Sequence, residues 1–233
     1  MYLINIFVEY FPSYFDAFLM TIRLSVLSLI FASLLGIIIG LVNSAKNKNI
    51  ITRIFQIISR VYIDLIRGTP LLVQILIIYY GIPQVLRAST GFQWNSIGGA
   101  FTAGVVILTL NAGAYMSEIV RAGIESVDVG QFEAARSLGL GYGKTMIKII
   151  LPQAIRTMLP SIINQYIISI KDTSLLSTIG VRELTNNGRI HASAASDQVM
   201  VLYCMMAAYY LVVCLLLSKL SKVLEKRYSY GKQ

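Results

Sequence analysis

Long uncharged runs divide this chain. A helix that crosses a bilayer needs about 20 predominantly apolar residues. Residues 24–45 form such a run, and the helix is predicted from about Tyr14 with Arg23 inside it. Residues 68–86, 88–117 and 198–218 are further runs of sufficient length. Residues 157–170 are too short alone, but apolar character resumes at 173–181, after Lys171 and Asp172. That predicts one more span, interrupted by the charged pair. The pattern therefore predicts an all-α integral membrane protein with five transmembrane helices. They are placed at about 14–43, 61–84, 96–118, 154–180 and 198–219, in a single transmembrane domain over 1–233. Residues 51–86 would extend ~54 Å as one helix, against about 30 Å of hydrocarbon. Their first turns, with Arg53 and Arg60, are expected in the cytoplasmic interface. Gly36 and Gly40 give a GxxxG spacing, which allows close helix approach but is frequent by chance in Gly-rich apolar helices.

Composition agrees. The 233 residues are 56% hydrophobic and 13% charged, where a soluble domain has about 25% charged residues. Disordered chains are poor in apolar residues, so that class is excluded too. The net charge of +9 would suit a nucleic-acid ligand, but its distribution says otherwise. With five spans, the segments around 45–60 and 121–156 and the C-terminal tail share one side. They hold fourteen of the 20 Lys and Arg, among them Lys46, Lys48 and Lys232, while the other side holds four. The positive-inside rule makes the basic side cytoplasmic, with the N-terminus outside and the C-terminus inside. The expected location is a prokaryotic plasma membrane, multi-pass, and no nucleic-acid partner is needed.

Several chemistries drop out. Cys204 and Cys214 lie ten apart in one apolar run, ~15 Å along a helix and too far to bridge. The single His191 lies in a polar stretch with Arg189 and Asp197 and is expected to be a solvated loop residue. No metal-ligand spacing exists, so no metal site is predicted. Residues 1–16 carry no Lys or Arg, unlike the basic start of a signal peptide. The 139–145 segment, Gly-Leu-Gly-Tyr-Gly-Lys-Thr, invites a phosphate-loop reading. Leu138 stands where that pattern needs glycine, and Lys144 where the dinucleotide fingerprint needs one. The glycines are expected to form a turn between two short helices.

Residues 121–152 make a cytoplasmic loop of specific character. Residues 129–138 are predicted helical, with Phe132, Ala135 and Leu138 at three-residue spacing and Glu133 and Arg136 off that stripe. Residues 145–151 are predicted as a second short helix, after which Pro152 restarts the chain. A short helix held off the membrane suits a partner's groove. An interfacial helix resting on lipid is the alternative.

The residues of this loop resemble a known signature. Glu133-Ala134-Ala135 is followed by Gly139, then by Ile149-Ile150-Leu151-Pro152. This is similar to the loop of ATP-binding-cassette importer permeases, matching at every signature position. Residues 67–74 (Arg-Gly-Thr-Pro-Leu-Leu-Val-Gln), 111–115 (Asn-Ala-Gly-Ala-Tyr) and 171–175 (Lys-Asp-Thr-Ser-Leu) resemble the polar-amino-acid branch of that family. The resemblance covers about 14–227. It implies that Glu133, Ala134, Ala135 and Gly139 couple the spans to a dimer of separate ATPase subunits, which bind the ATP. The chain itself would carry no cofactor and no enzymatic activity. The further partners it implies are a second permease subunit, identical or homologous, an extracytoplasmic solute-binding protein and an amino acid substrate.

Polar residues inside lipid-crossing helices are costly and are functional candidates by default. Asp64 and Arg67 lie three apart, just before Pro70, whose missing N–H leaves the Ile66 carbonyl without a helix partner. They line a substrate path or form a self-satisfied pair that shapes the kink. Thr69 and Gln74 belong to the same segment. Asn111, Tyr115 and Glu118 share one face, Asn164 and Gln165 are the polar centre of the fourth span, and Lys171 and Asp172 follow. A zwitterion needs anionic partners and cationic or N–H-donating ones, and these helices hold both. The other reading is interhelical hydrogen bonding for the amides and a gate-side ion pair for Lys171 and Asp172. Asp64 and Glu118 tilt the expectation toward a basic substrate such as arginine. A neutral or acidic polar amino acid such as glutamine, or an ion-coupled secondary transporter, are the alternatives.

Overall fold

The structure is a computed structural model that describes residues 2–45 and 49–229. Lys46, Lys48 and Lys232, counted above among the cytoplasmic charges, lie outside the described residues. Within them, every regular element is helical. Five stretches are long and apolar enough to cross a bilayer: Ile4–Ser44, Leu71–Thr90, Gly99–Glu125, Tyr142–Ile179 and Val199–Arg227.

Helix α1 (Tyr2–Ser44) has 43 residues and begins well before the expected start at Tyr14. Its buried hydroxyls are satisfied by its own backbone: Ser25 and Ser28 donate to the carbonyls of Thr21 and Leu24 at 2.8 and 2.7 Å. An apolar helix can thus carry serines without unpaired groups. Its main partner is α5 (Gly99–Glu125), the centre of the molecule. The most apolar window of α5 is 67% buried, against 11% for that of the last span. Gly36 and Gly40 decide the fit. A Cβ on Gly36 would stand 2.5 Å from Cβ of Met116, and one on Gly40 2.6 Å from Cβ of Val120. The GxxxG spacing is therefore used, against α5.

Helix α2 (Ile50–Arg67) stops at Gly68, whose N–H donates to the Asp64 carbonyl at 2.8 Å. The chain restarts as α3 (Leu71–Leu76), passes a π turn at Ile77–Gly81 and continues as α4 (Ile82–Thr90). The span expected over 61–84 is thus two helical pieces around a break at 68–70. After α5 come α6 (Val129–Ser137) and α7 (Tyr142–Thr145). A second π turn at Met146–Ile150 leads into α8 (Leu151–Asp172). Both π turns end two residues before a proline, Pro83 and Pro152. Proline lacks an N–H and its ring crowds the carbonyl four residues back, and the wider turn absorbs both without a stop. Pro152 therefore does not restart the chain, as expected from sequence, and helical structure runs from Tyr142 onward.

Helix α8 does end at the charged pair. The chain tightens into a 3₁₀ segment at Thr173–Ile179, then forms α9 (Leu184–Ala194) and α10 (Val199–Ser229). His191 is not a solvated loop residue. It lies in α9, 2.8 Å from Oγ of Ser13, with its ring edge-on to Tyr10 at 4.9 Å. The N-terminal parts of α1 and α10 pack against α9 here, around fully buried Tyr14, Leu184 and Leu202.

Candidate functional site: a charged cavity and a capped loop

The break before Pro70 carries the first local chemistry. The Ile66 carbonyl, deprived of its helix partner, accepts from Nε2 of Gln74 at 2.7 Å. The same amide nitrogen donates to the carbonyl of Thr69 at 2.9 Å and lies 3.0 Å from its Oγ1. Oε1 of Gln74 accepts from Nδ2 of Asn111 on α5 at 3.0 Å. Both amides are buried. Gln74 and Asn111 therefore form a staple that closes the break and ties α3 to α5. This is the interhelical reading of these amides, and neither lies on the cavity wall described next.

That cavity, of about 640 Å³, lies where the end of α2, the C-terminal half of α5 and α8 meet. It brings together Arg67, Tyr115, Glu118, Asn164 and Gln165 of the predicted residues, and adds Thr157, Pro160 and Ser161, which sequence reasoning missed. Pro160 inside α8 was the available signal. Arg67 is the cationic centre. Its guanidinium stands 5.4 Å from the Tyr115 ring centroid and 3.4 Å from the Glu118 carboxylate. Glu118 also accepts from Arg121 through both oxygens, at 3.2 and 2.9 Å. Arg121 in turn reaches Glu125 at 2.7 Å.

The expected pairings differ from this. Arg67 pairs with Glu118 rather than Asp64: the rotation of α2 on its neighbours brings Arg67 to α5 while Asp64 stays exposed. Lys171 and Asp172 form no ion pair either. Adjacent residues on a helix point about 100° apart, and Lys171 lines a different cavity, of about 530 Å³, with Tyr210 and Cys214. Asp64, Thr69, Gln74, Asn111, Lys171 and Asp172 all lie off the cavity that holds Arg67. Its wall presents one guanidinium and one carboxylate, with amides and hydroxyls between them. Such a wall can meet both ends of a zwitterion without favouring a net charge.

The loop beyond α5 is equally defined. The Asp128 carboxylate caps α6, accepting from the Gly130 N–H at 2.6 Å. At the other end Gly139 has φ +80°, and the Leu140 N–H donates to the Ala135 carbonyl at 3.1 Å. Together with the Gly139 N–H to Arg136 carbonyl bond at 3.0 Å, this is a Schellman stop, which needs a glycine at its left-handed position. Ala135 is buried against the molecule, whereas Glu133, Ala134 and Gly139 face outward. Leu138, expected on the inner stripe, is 83% exposed, because the helix ends one residue before it. Phe132 meets Tyr142 edge-on at 5.6 Å and holds α6 to α7.

Sequence reasoning also missed Glu183. It is fully buried, capping α9 through the N–H groups of Thr185 and Asn186 at 2.8 and 2.7 Å and accepting from the Tyr210 hydroxyl at 3.0 Å. Burial pushes its carboxyl up to about 6. An acid immediately before a helix start was the only signal.

Helical spans around a break, a two-signed cavity and a capped loop helix define a membrane transport component, and comparison with known proteins agrees. Residues 32–230 match the family described as binding-protein-dependent transport system inner membrane component, and the chain belongs to that family. It is 40% identical over 207 residues to the L-cystine transport system permease protein TcyB of Bacillus subtilis (strain 168), covering 89% of this chain and 82% of that one. The arginine transport system permease protein ArtQ of the same organism is 35% identical, covering 93% and 92%. The glutamine transport system permease protein GlnP of Escherichia coli (strain K12) is 37% identical, covering 89% of each. Among solved structures, an amino acid ABC transporter with histidines aligns with TM-score 0.82 at 38% identity, over 94% of this chain and 96% of that one. An inward-facing MetNI methionine ABC transporter shares the fold, at TM-score 0.66 and 17% identity.

Proposed function

We propose that this chain is the transmembrane permease subunit of an ATP-driven amino acid importer, and that the cavity around Arg67 is its substrate site. Two permease subunits form the pathway by alternating access, and an extracytoplasmic binding protein delivers the substrate. Two ATPase subunits receive the α6 helices, so ATP hydrolysis belongs to the partner. Glu133, Ala134 and Gly139 face that partner. Ala135 seats α6 on its own chain, and Gly139 fixes the exit of the loop. The basic side is cytoplasmic, which leaves the N-terminus outside and the C-terminus inside. The observation that carries this reading is the capped α6 that presents Glu133 outward, together with a separate cavity of both charge signs.

The substrate is a polar amino acid without net charge. A preference for a basic one needs free carboxylates, but Asp64 stands off the cavity and Glu118 is already held by Arg67 and Arg121. L-cystine and glutamine, named for two relatives, meet that condition, and arginine does not.

Reconstitution with the ATPase and binding protein tests this. ATP-dependent uptake of L-cystine or glutamine in preference to arginine is the expected result. Uptake driven by a proton or sodium gradient without ATP would refute the importer reading, and arginine preference would refute the substrate class. Glu133→Lys should leave the spans folded and separate ATP hydrolysis from uptake. Transport at the unaltered rate would remove Glu133 from the coupling role.

A further inference from the structure

Arg53, Arg60 and Arg67 recur every seventh residue along α2. Seven residues bring a helix back to within about 20° of the same direction and advance it ~10.5 Å. The three guanidiniums therefore stand on one nearly straight stripe, ~21 Å long. The opposite arc is apolar and exposed, with Ile51, Ile54, Phe55, Ile58 and Leu65. Between stripe and arc lies the packed edge: Ser59 and Ile63 are buried, and Nε2 of Gln56 donates to the carbonyls of Val42 and Ala45 at 3.0 and 3.1 Å. These contacts fix the rotation of α2 about its axis. The last arginine of the stripe lines the cavity. Arg53 and Arg60 are exposed and form no ion pair among the described residues, and Asp64, beside Arg60 on the same side, forms none.

We propose that this stripe is a carboxylate track, which passes the α-carboxylate of the substrate from Arg67 to Arg60 to Arg53 on its way out of the cavity. The proposal rests on the amino acid transport reading above. Every amino acid carries this carboxylate, so a track built for it serves any side chain. A guanidinium fork matches a carboxylate. The ~10.5 Å step is close to the screening length at physiological salt, about 8 Å, so a carboxylate leaving one arginine is already within the field of the next. Exposure keeps each contact weak, as a site that must release its ligand requires. Anionic lipid headgroups would suit the same guanidiniums. One feature favours the track: the stripe runs into the cavity wall at Arg67.

The test uses the reconstituted complex with Arg53→Gln/Arg60→Gln, in vesicles of phosphatidylcholine alone and with added phosphatidylglycerol. Amino acid imported per ATP hydrolysed should fall roughly fivefold in both lipids and recover in part with Arg53→Lys/Arg60→Lys, which keeps the charge but not the fork. The defect should also shrink as salt is raised, since screening weakens the unsubstituted track. An unchanged ratio overturns the proposal. So does a loss confined to phosphatidylglycerol vesicles, which would assign the stripe to headgroups, and so does an equal fall in ATP hydrolysis and uptake, which would assign α2 to ATPase coupling. Absence of ATP-dependent uptake by the unsubstituted complex would instead refute the transport reading itself.

Discussion

Gln74→Leu removes one side chain and strands several polar groups. Leucine fills nearly the same space, so the packing of α3 on α5 is retained and the loss is polar. The Ile66 carbonyl loses its 2.7 Å donor and cannot recover one from Pro70, and Nδ2 of Asn111 loses its 3.0 Å acceptor. The Thr69 carbonyl belongs to an exposed residue and can be rehydrated. Two stranded groups at 1–3 kcal/mol each, reduced because the Ile66 site is partly open to water, give a loss of about 2–4 kcal/mol. Trp94 supplies the assay. It is the only tryptophan in the chain, and its Nε1 donates to the Ile78 carbonyl at 3.1 Å, one turn beyond Gln74. Its emission during thermal unfolding in detergent therefore reports on this region. The variant should unfold at lower temperature. Adding Asn111→Leu should cost less than the sum of the two single changes, since removing both partners leaves fewer unpaired groups. A single-variant loss below about 1 kcal/mol, or strict additivity, would refute the staple.

The close approach of α1 and α5 predicts that Gly36→Ala destabilises the protein by about 1–3 kcal/mol, because its Cβ would also stand 3.0 Å from the Met116 backbone. Gly141→Ala, where nothing lies within 4 Å, should be neutral in the same unfolding assay. For Glu183, a rise from 4.5 to about 6 means that the folded state favours the protonated acid. Stability should be fullest below pH 4.5 and decline by about 2 kcal/mol as pH rises through 6, and Glu183→Gln should abolish that slope. A pH-independent unfolding temperature in the parent chain over this range would refute the assignment.

Much of the architecture was legible because lipid imposes it. Run lengths revealed five spans, since a crossing helix must be long and apolar, and the break before Pro70 was visible because proline has no N–H to give. The stop at Gly139 was visible for a similar reason: only glycine enters a left-handed turn without strain. The α6 signature was legible because it is local, confined to one short helix and its caps. Pro152 misled because local sequence does not tell a helix stop from a π turn. Leu138 misled because three-residue spacing continued one residue past the helix end.

The site divided along the same line. Spacing alone placed Arg67, Tyr115, Glu118, Asn164 and Gln165 among the candidates, because intramembrane polarity is rare enough to be informative. It did not decide which of them face a common space. Arg67 could reach Asp64 on its own helix or Glu118 on another, and Gln74 could face a path or a neighbouring amide. Those choices turn on helix rotation, and rotation is set by distant contacts such as Gly36 on Met116 and Gln56 on the end of α1. The sequence by itself determined helices, spans and the capped loop helix, since each is satisfied within a single segment. Only the tertiary structure decided the pairing of charges and amides, because each polar group takes whichever partner the packing of other segments brings within reach.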